Sequence, residues 1–212
     1  MPTLVAAAHG TESRAGQHTL AHLVARAGRL APDVEIVPCF LDVLSPTLGQ
    51  VLPAHPDGVI VPLLLSTGYH VRSDIPALAG ARAVARHLGP DPVLTTILAE
   101  QVVGRGRDIA LVAAGSRDPA AARELDQAAE DLRRVTGRAV LPLTVGAATP
   151  ERLGQLDDPI VAAYLLAEGV FYDRLTAGAI PVTAPLGHDP RLAELVLRRF
   201  TEALAPAGRD LG

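Results

Sequence analysis

Two histidines and an aspartate each follow a short apolar run. His9 comes after Leu4–Ala8, Asp42 after Glu35–Phe40, and His70 after Val59–Leu65 and a Ser66-Thr67-Gly68-Tyr69 turn. Imidazole nitrogens and a carboxylate can hold a divalent ion while leaving coordination positions free for a second ligand. Imidazole is mostly neutral near pH 7, so both histidines could also accept protons during a reaction. His9 and His70 are thus candidate catalytic groups, and His9, His70 and Asp42 candidate metal ligands. A short acid after a strand also has a plainer reading, as a turn residue.

The elements that must position these groups read as an α/β chain. Continuously apolar runs of strand length fall at Thr3–Ala8, Glu35–Phe40, Val59–Leu65, Val93–Ile97, Asp108–Ala113, Ala139–Val145, Ile160–Leu166 and Ala179–Thr183. Such runs suit parallel strands covered on both faces. Helical patterns fall between them, at Ala15–Leu30, Pro46–Leu52, Asp74–Leu88, Ala120–Val135, Pro150–Leu156 and Pro190–Leu204. The alternation predicts right-handed βαβ units, with the three polar residues at the carboxyl ends of strands, where open parallel sheets bind ligands.

The plan is stated twice. Leu4-Val5-Ala6-Ala7-Ala8-His9-Gly10 returns as Leu111-Val112-Ala113-Ala114-Gly115. Leu44-Ser45-Pro46 has a counterpart in Ala148-Thr149-Pro150, and Leu88-Gly89-Pro90-Asp91-Pro92 in Leu186-Gly187-His188-Asp189-Pro190. Three landmarks in one order predict two tandem units, residues 1–104 and 105–212, joined near Gly104-Arg105-Gly106-Arg107. Aligned on these landmarks, Ala114 replaces His9, Gly146 falls near Asp42 and Phe171 falls at His70. The fold keeps its strands and turns without the polar set, which favours a functional role for that set in the first unit.

Composition narrows the classes. A net charge of -4 and the lack of any tryptophan argue against nucleic acid and against a membrane surface. The longest apolar run, Val59–Leu65, is far short of a membrane span. Cys39 is the only cysteine and reads as inert core, which fits a reducing cytosol; the opening residues lack the pattern of a signal peptide. The remaining histidines have plain readings: His18 and His22 on a solvated helix face, His87 at a helix end, His55 in a loop and His188 in a turn.

At the residues around His9 and His70 the sequence resembles the sirohydrochlorin chelatases, the class II metal-inserting enzymes of sirohaem and cobalamin synthesis. Val61-Pro62-Leu63-Leu64-Leu65-Ser66-Thr67-Gly68-Tyr69-His70-Val71-Arg72-Ser73-Asp74-Ile75-Pro76 is close to that family's signature, and Ala8-His9-Gly10 resembles its strand-end histidine. Thr11-Glu12-Ser13-Arg14 departs from the family's usual turn, and Asp42 stands where glutamate is common.

The resemblance implies two chelatase-like (flavodoxin-like) units, each a parallel four-stranded sheet flanked by helices. It implies ATP-independent insertion of Fe²⁺ or Co²⁺, with Ni²⁺ or Zn²⁺ as in-vitro substitutes and no further cofactor. It also implies contact of the many-carboxylate tetrapyrrole with Arg14, Arg72, Ser66, Thr67, Gly68 and Tyr69, in a cytoplasmic monomer or weak homodimer. Two rivals remain at this point. One is a metal or tetrapyrrole carrier without turnover. The other is a histidine phosphatase, which would need an arginine where Ala8 stands.

Overall fold

A computed structural model describes residues 1–205 of the chain. In chain order the elements are β1 (Thr3–Ala8), α1 (Arg14–Leu30), β2 (Glu35–Phe40), α2 (Leu48–Val51), β3 (Val59–Leu63), α3 (Ile75–Ala79) and α4 (Pro92–Gln101). The second half follows with β4 (Ile109–Ala113), α5 (Pro119–Thr136), β5 (Val140–Thr144), α6 (Pro150–Leu153), β6 (Ile160–Tyr164), α7 (Val170–Thr176) and α8 (Arg191–Leu204).

The strands form two parallel three-stranded sheets, β2-β1-β3 and β5-β4-β6. Four strands per sheet were expected. The fourth place in each is a single bridge, Ile60 with Val84 and Val161 with Val182, so Ala179–Thr183 is not a strand. Val93–Ile97 is helical, within α4. Its β-branched residues suggested a strand, but Asp91 caps the segment by accepting the Val93 N–H at 3.0 Å, and Pro92 opens the first turn. The helix expected to run to Leu88 ends at Ala79, where Gly80 adopts φ +60°.

Alternation along each central strand serves two cores. Leu4, Ala6 and Ala8 join Ile109, Leu111 and Ala113 in one apolar cluster that runs through both halves. Val5 and Ala7 face a smaller cluster with Cys39, Leu48 and Ile75, while Ala110 and Val112 face another with Leu143 and Val161. Pro38 and Pro142 are tolerated because β2 and β5 are edge strands.

The terminal helix of each half packs on the other half: α8 lies against α1 and β3, and α4 against α5 and β6. Arg199 of α8, almost fully buried, donates to the His87 and Leu88 carbonyls and to Asp91 (2.7 Å). Arg138 donates to the Val102, Arg105 and Arg107 carbonyls and so fixes the connection around residue 104. Each half carries its own sheet, but the main core belongs to both.

Candidate metal centre

Strand register carries His9, Asp42 and His70 to one edge. Ala8 lies opposite Phe40 in β2 and opposite Leu63 in β3, so the three chains leave the sheet together. His9 follows at once. Gly10 then turns with φ +98°, so close to the next loop that a Cβ there would stand 2.6 Å from the Asp42 carbonyl oxygen. Only glycine satisfies both conditions without strain. The Asp42 N–H donates to the His9 carbonyl at 3.2 Å, tying the two loops. After β3, the chain passes through Ser66–Tyr69 into one π-helical turn, His70–Asp74, that continues into α3.

One ligand atom from each of His9, Asp42 and His70 lies within 4.8 Å of the other two. His9 Nδ1 and His70 Nε2 are 3.0 Å apart. Two nitrogens on one divalent ion, each at roughly 2.0–2.1 Å, stand about 2.8–3.4 Å apart for right-angle to tetrahedral geometry. The gap therefore fits an ion with little movement.

Asp74 sets the chemistry of His70. Its carboxylate lies 2.6 Å from His70 Nδ1, which places the ring proton there and leaves Nε2 as a lone pair facing His9. Without an ion, His9 Nδ1–H satisfies that lone pair. Moving the His9 proton to its other nitrogen turns two lone pairs toward each other across the gap, an arrangement that a cation relieves. The pKa of His9 is lowered, first by burial and then by His70, with Asp42 opposing. His9 is thus available as a neutral donor at lower pH than an ordinary histidine.

The second half repeats the frame without the donors. Ala113 lies opposite Thr144 and Tyr164, as Ala8 lies opposite Phe40 and Leu63. Counting from those registers puts Ala114 at His9, Gly146 at Asp42 and Phe171 at His70. Gly115 keeps the turn, with φ +100°.

The residues expected around a bound substrate divide. Tyr69 is 72% exposed and stands edge-on to His70, with ring centroids 6.2 Å apart. Arg14 is exposed at the first turn of α1 and has no polar partner among the described residues. Arg72 is exposed but paired with Asp118, the residue that caps α5. Ser66 is half-buried, and a Cβ on Gly68 would stand 3.5 Å from Ser116 Oγ.

Thr67 corrects the sequence reading: it faces inward. Its N–H donates to Glu124 Oε2 at 2.6 Å, its hydroxyl donates to Glu124 Oε1 at 2.5 Å, and His87 Nε2 lies 3.1 Å from that hydroxyl. Both polar groups of Thr67 are consumed by the second half, so it fixes the loop rather than meeting a ligand. Glu124 was missed for that reason, and His87, expected at a helix end, lies beyond α3 and is buried against Thr67. Neither lies near the site in sequence, and a single Glu on an amphipathic helix carries no signal.

Residues 3–104 match the family model CbiX. Among solved structures, the chain is similar to the sirohydrochlorin chelatase SirB from Bacillus subtilis subspecies spizizenii in complex with cobalt. That likeness has 21% identity and a TM-score of 0.83, over 99% of this chain and 98% of the other. It is also similar to SirB from Bacillus subtilis with Fe³⁺, at 19% identity and a TM-score of 0.77 over 97% and 96% of the two chains. A third is CbiX, the terminal enzyme for biosynthesis of siroheme in denitrifying bacteria, at 19% identity and a TM-score of 0.68 over 97% and 100%. These likenesses give the fold over its whole length, both halves included. No curated protein matches the sequence. Among the described residues, no helix is long and apolar enough to cross a membrane.

Proposed function

We propose that this chain is a sirohydrochlorin chelatase, inserting Fe²⁺ or Co²⁺ into the tetrapyrrole without ATP. The observation that carries the reading is the convergence of His9, Asp42 and His70, with His70 backed by Asp74. The CbiX match covers the half that holds them.

The chemistry follows from the donors. Insertion exchanges two pyrrole protons for one M²⁺, so the site must release an ion and accept protons. Three protein ligands hold a divalent ion with open positions, through which the macrocycle nitrogens displace them. His70 presents Nε2 to the site as a lone pair that can accept a proton, because Asp74 holds the ring through Nδ1. His9, with its depressed pKa, stays a neutral ligand. Tyr69 and Val43 are exposed beside the centre, and Val170 and Phe171 are exposed at the matching edge of the second half. These side chains suit the faces of a flat macrocycle, while Arg14 suits its carboxylates. In this reading the second half supplies a wall of the cleft and the first half its chemistry.

The test is anaerobic incubation of the purified chain with sirohydrochlorin and Co²⁺ or Fe²⁺, followed by visible absorption. Insertion well above the spontaneous rate is expected. Stoichiometric binding of metal or macrocycle at the spontaneous rate would replace an enzyme with a carrier.

A further inference from the structure

The loops beyond the strands of one half meet the helices of the other at two seams, and the same residue types close each. β3 ends at Leu63 and β6 at Tyr164, so Thr67 and Glu168 stand equally far beyond their strands. α1 begins at Arg14 and α5 at Pro119, so Thr19 and Glu124 hold the same place in their helices. Thr67 bonds to Glu124 across one seam, and Glu168 to Thr19 across the other. Threonine and glutamate have changed places, yet the pair persists. A histidine completes each group: His87 Nε2 lies 3.1 Å from the Thr67 hydroxyl, and His188 Nε2 lies 2.6 Å from Glu168 Oε1.

Each seam grips a loop that carries a metal ligand. Thr67 shortly precedes His70, and Glu124 accepts both its N–H at 2.6 Å and its hydroxyl at 2.5 Å. Asp118, which caps the same helix, pairs with Arg72 on the other side of His70. In the second seam Thr19 donates to Glu168 Oε2 at 2.7 Å. Burial pushes the Glu168 carboxyl up, but the bonds from Thr19 and His188 outweigh this and hold it below the usual carboxylate range. The main-chain carbonyl of Glu168, so anchored, accepts from the Thr11 hydroxyl at 3.1 Å, just beyond His9. A Cβ at Gly16 would collide with that carbonyl, and one at Gly169 would stand 2.7 Å from Thr11 Oγ1. The two halves touch here as closely as glycine permits.

We propose that Glu124 and Glu168 are positioning residues of the metal centre: each locks one histidine loop of the first half against the second half, and together they set the gap between His9 and His70. The proposal rests on the reading of His9, Asp42 and His70 as that centre. An ion needs about 2.8–3.4 Å between the two nitrogens, and the gap is 3.0 Å. Drift of either loop by about half an ångström therefore forfeits a ligand. The second half thus acts on the chemistry through the ligand loops, and not only as a wall.

The experiment is Co²⁺ titration of the full chain followed by visible absorption, with melting curves and far-UV circular dichroism for each variant. E124A and E168A should each bind Co²⁺ about tenfold more weakly, the low end for lost support behind a ligand, and show altered Co²⁺ bands at saturation. E124Q and E168Q keep an acceptor oxygen and should recover part of the affinity. T11V, which loses one hydroxyl, should weaken binding with little change in melting. R138A is the control: it unties the connection between the halves ahead of β5, and should melt lower with native Co²⁺ affinity and bands. The proposal is overturned if folded E124A, E168A and T11V bind Co²⁺ as the native chain does, or if R138A weakens binding as much as they do. Undiminished Co²⁺ binding by H9A/H70A would remove the centre itself, and the proposal with it. Binding without insertion would strike the chelatase reading alone, because every arm reads Co²⁺ binding.

Discussion

Replacing Gly10 by alanine, alongside the same change at Gly115, separates turn strain from damage to the metal centre. The two glycines occupy matching turns with φ +98° and +100°. A side chain held in that region costs about 1–3 kcal/mol, and each variant should therefore melt lower by about 2–4 °C per kcal/mol for a chain of this size. The surroundings then differ. A Cβ at Gly115 meets Thr144 Cβ and Cγ2 at 3.1 and 3.2 Å, so the neighbour need yield only a few tenths of an ångström. A Cβ at Gly10 meets the Asp42 carbonyl oxygen at 2.6 Å, and ordinary contact begins at 3.4 Å, so that backbone must retreat by about 0.8 Å. The retreat drags Asp42 from its place beside His9. Disturbing the support of a metal ligand costs about 10–100-fold in affinity. Cobalt titration followed by visible absorption, with melting curves beside it, should show both variants destabilised but only Gly10→Ala weakened in Co²⁺ binding. Equal cobalt affinity in the two variants would refute the placement of Asp42 in the centre.

Further outcomes follow from the same geometry. Asp74→Asn should weaken Co²⁺ binding about 10–100-fold with little change in melting temperature, since it unfixes the His70 tautomer; calorimetric titration checks it. Glu124→Ala leaves the Thr67 N–H buried without an acceptor and its hydroxyl with His87 Nε2 alone, and should cost about 1–3 kcal/mol, read by urea unfolding, together with weaker Co²⁺ binding. Asp91 offers a pH test. Burial pushes its carboxyl up, but the Val93 N–H and the Arg198 and Arg199 guanidiniums outweigh this and hold it below the ordinary range. Its contribution is therefore present above the ordinary carboxylate range, near 4, and is lost as pH falls below it. Asp91→Ala breaks a buried pair worth about 3–5 kcal/mol near neutral pH, and the difference in melting temperature from the native chain should narrow as pH drops toward 3.

What the sequence discloses, and what it hides, has a physical pattern. His9, Asp42 and His70 were legible because each lies in the loop beyond the carboxyl end of an apolar strand, and strand register converts that position into proximity. Ala114, Gly146 and Phe171 made the contrast readable without any second chain. The fourth strands were not legible. Val84 and Val182 each make only one bridge, while Asp91-Pro92 turns the β-branched segment after it into a helix. The exchange of α4 and α8 between halves was also hidden, because apolar periodicity says that a helix face is buried but not against which sheet. Thr67 shows the same limit at the site. A polar residue beside His70 looks available for a ligand until Glu124, 57 positions away, takes both of its polar groups.

The central claim is that the first half performs metal insertion with His9 and His70. Its most direct test is single-turnover Co²⁺ insertion into sirohydrochlorin by the native chain and by H9A/H70A, each verified as folded. Fast insertion by the native chain, with the double variant reduced to the spontaneous rate, is the predicted result. Undiminished insertion by the double variant would contradict the account.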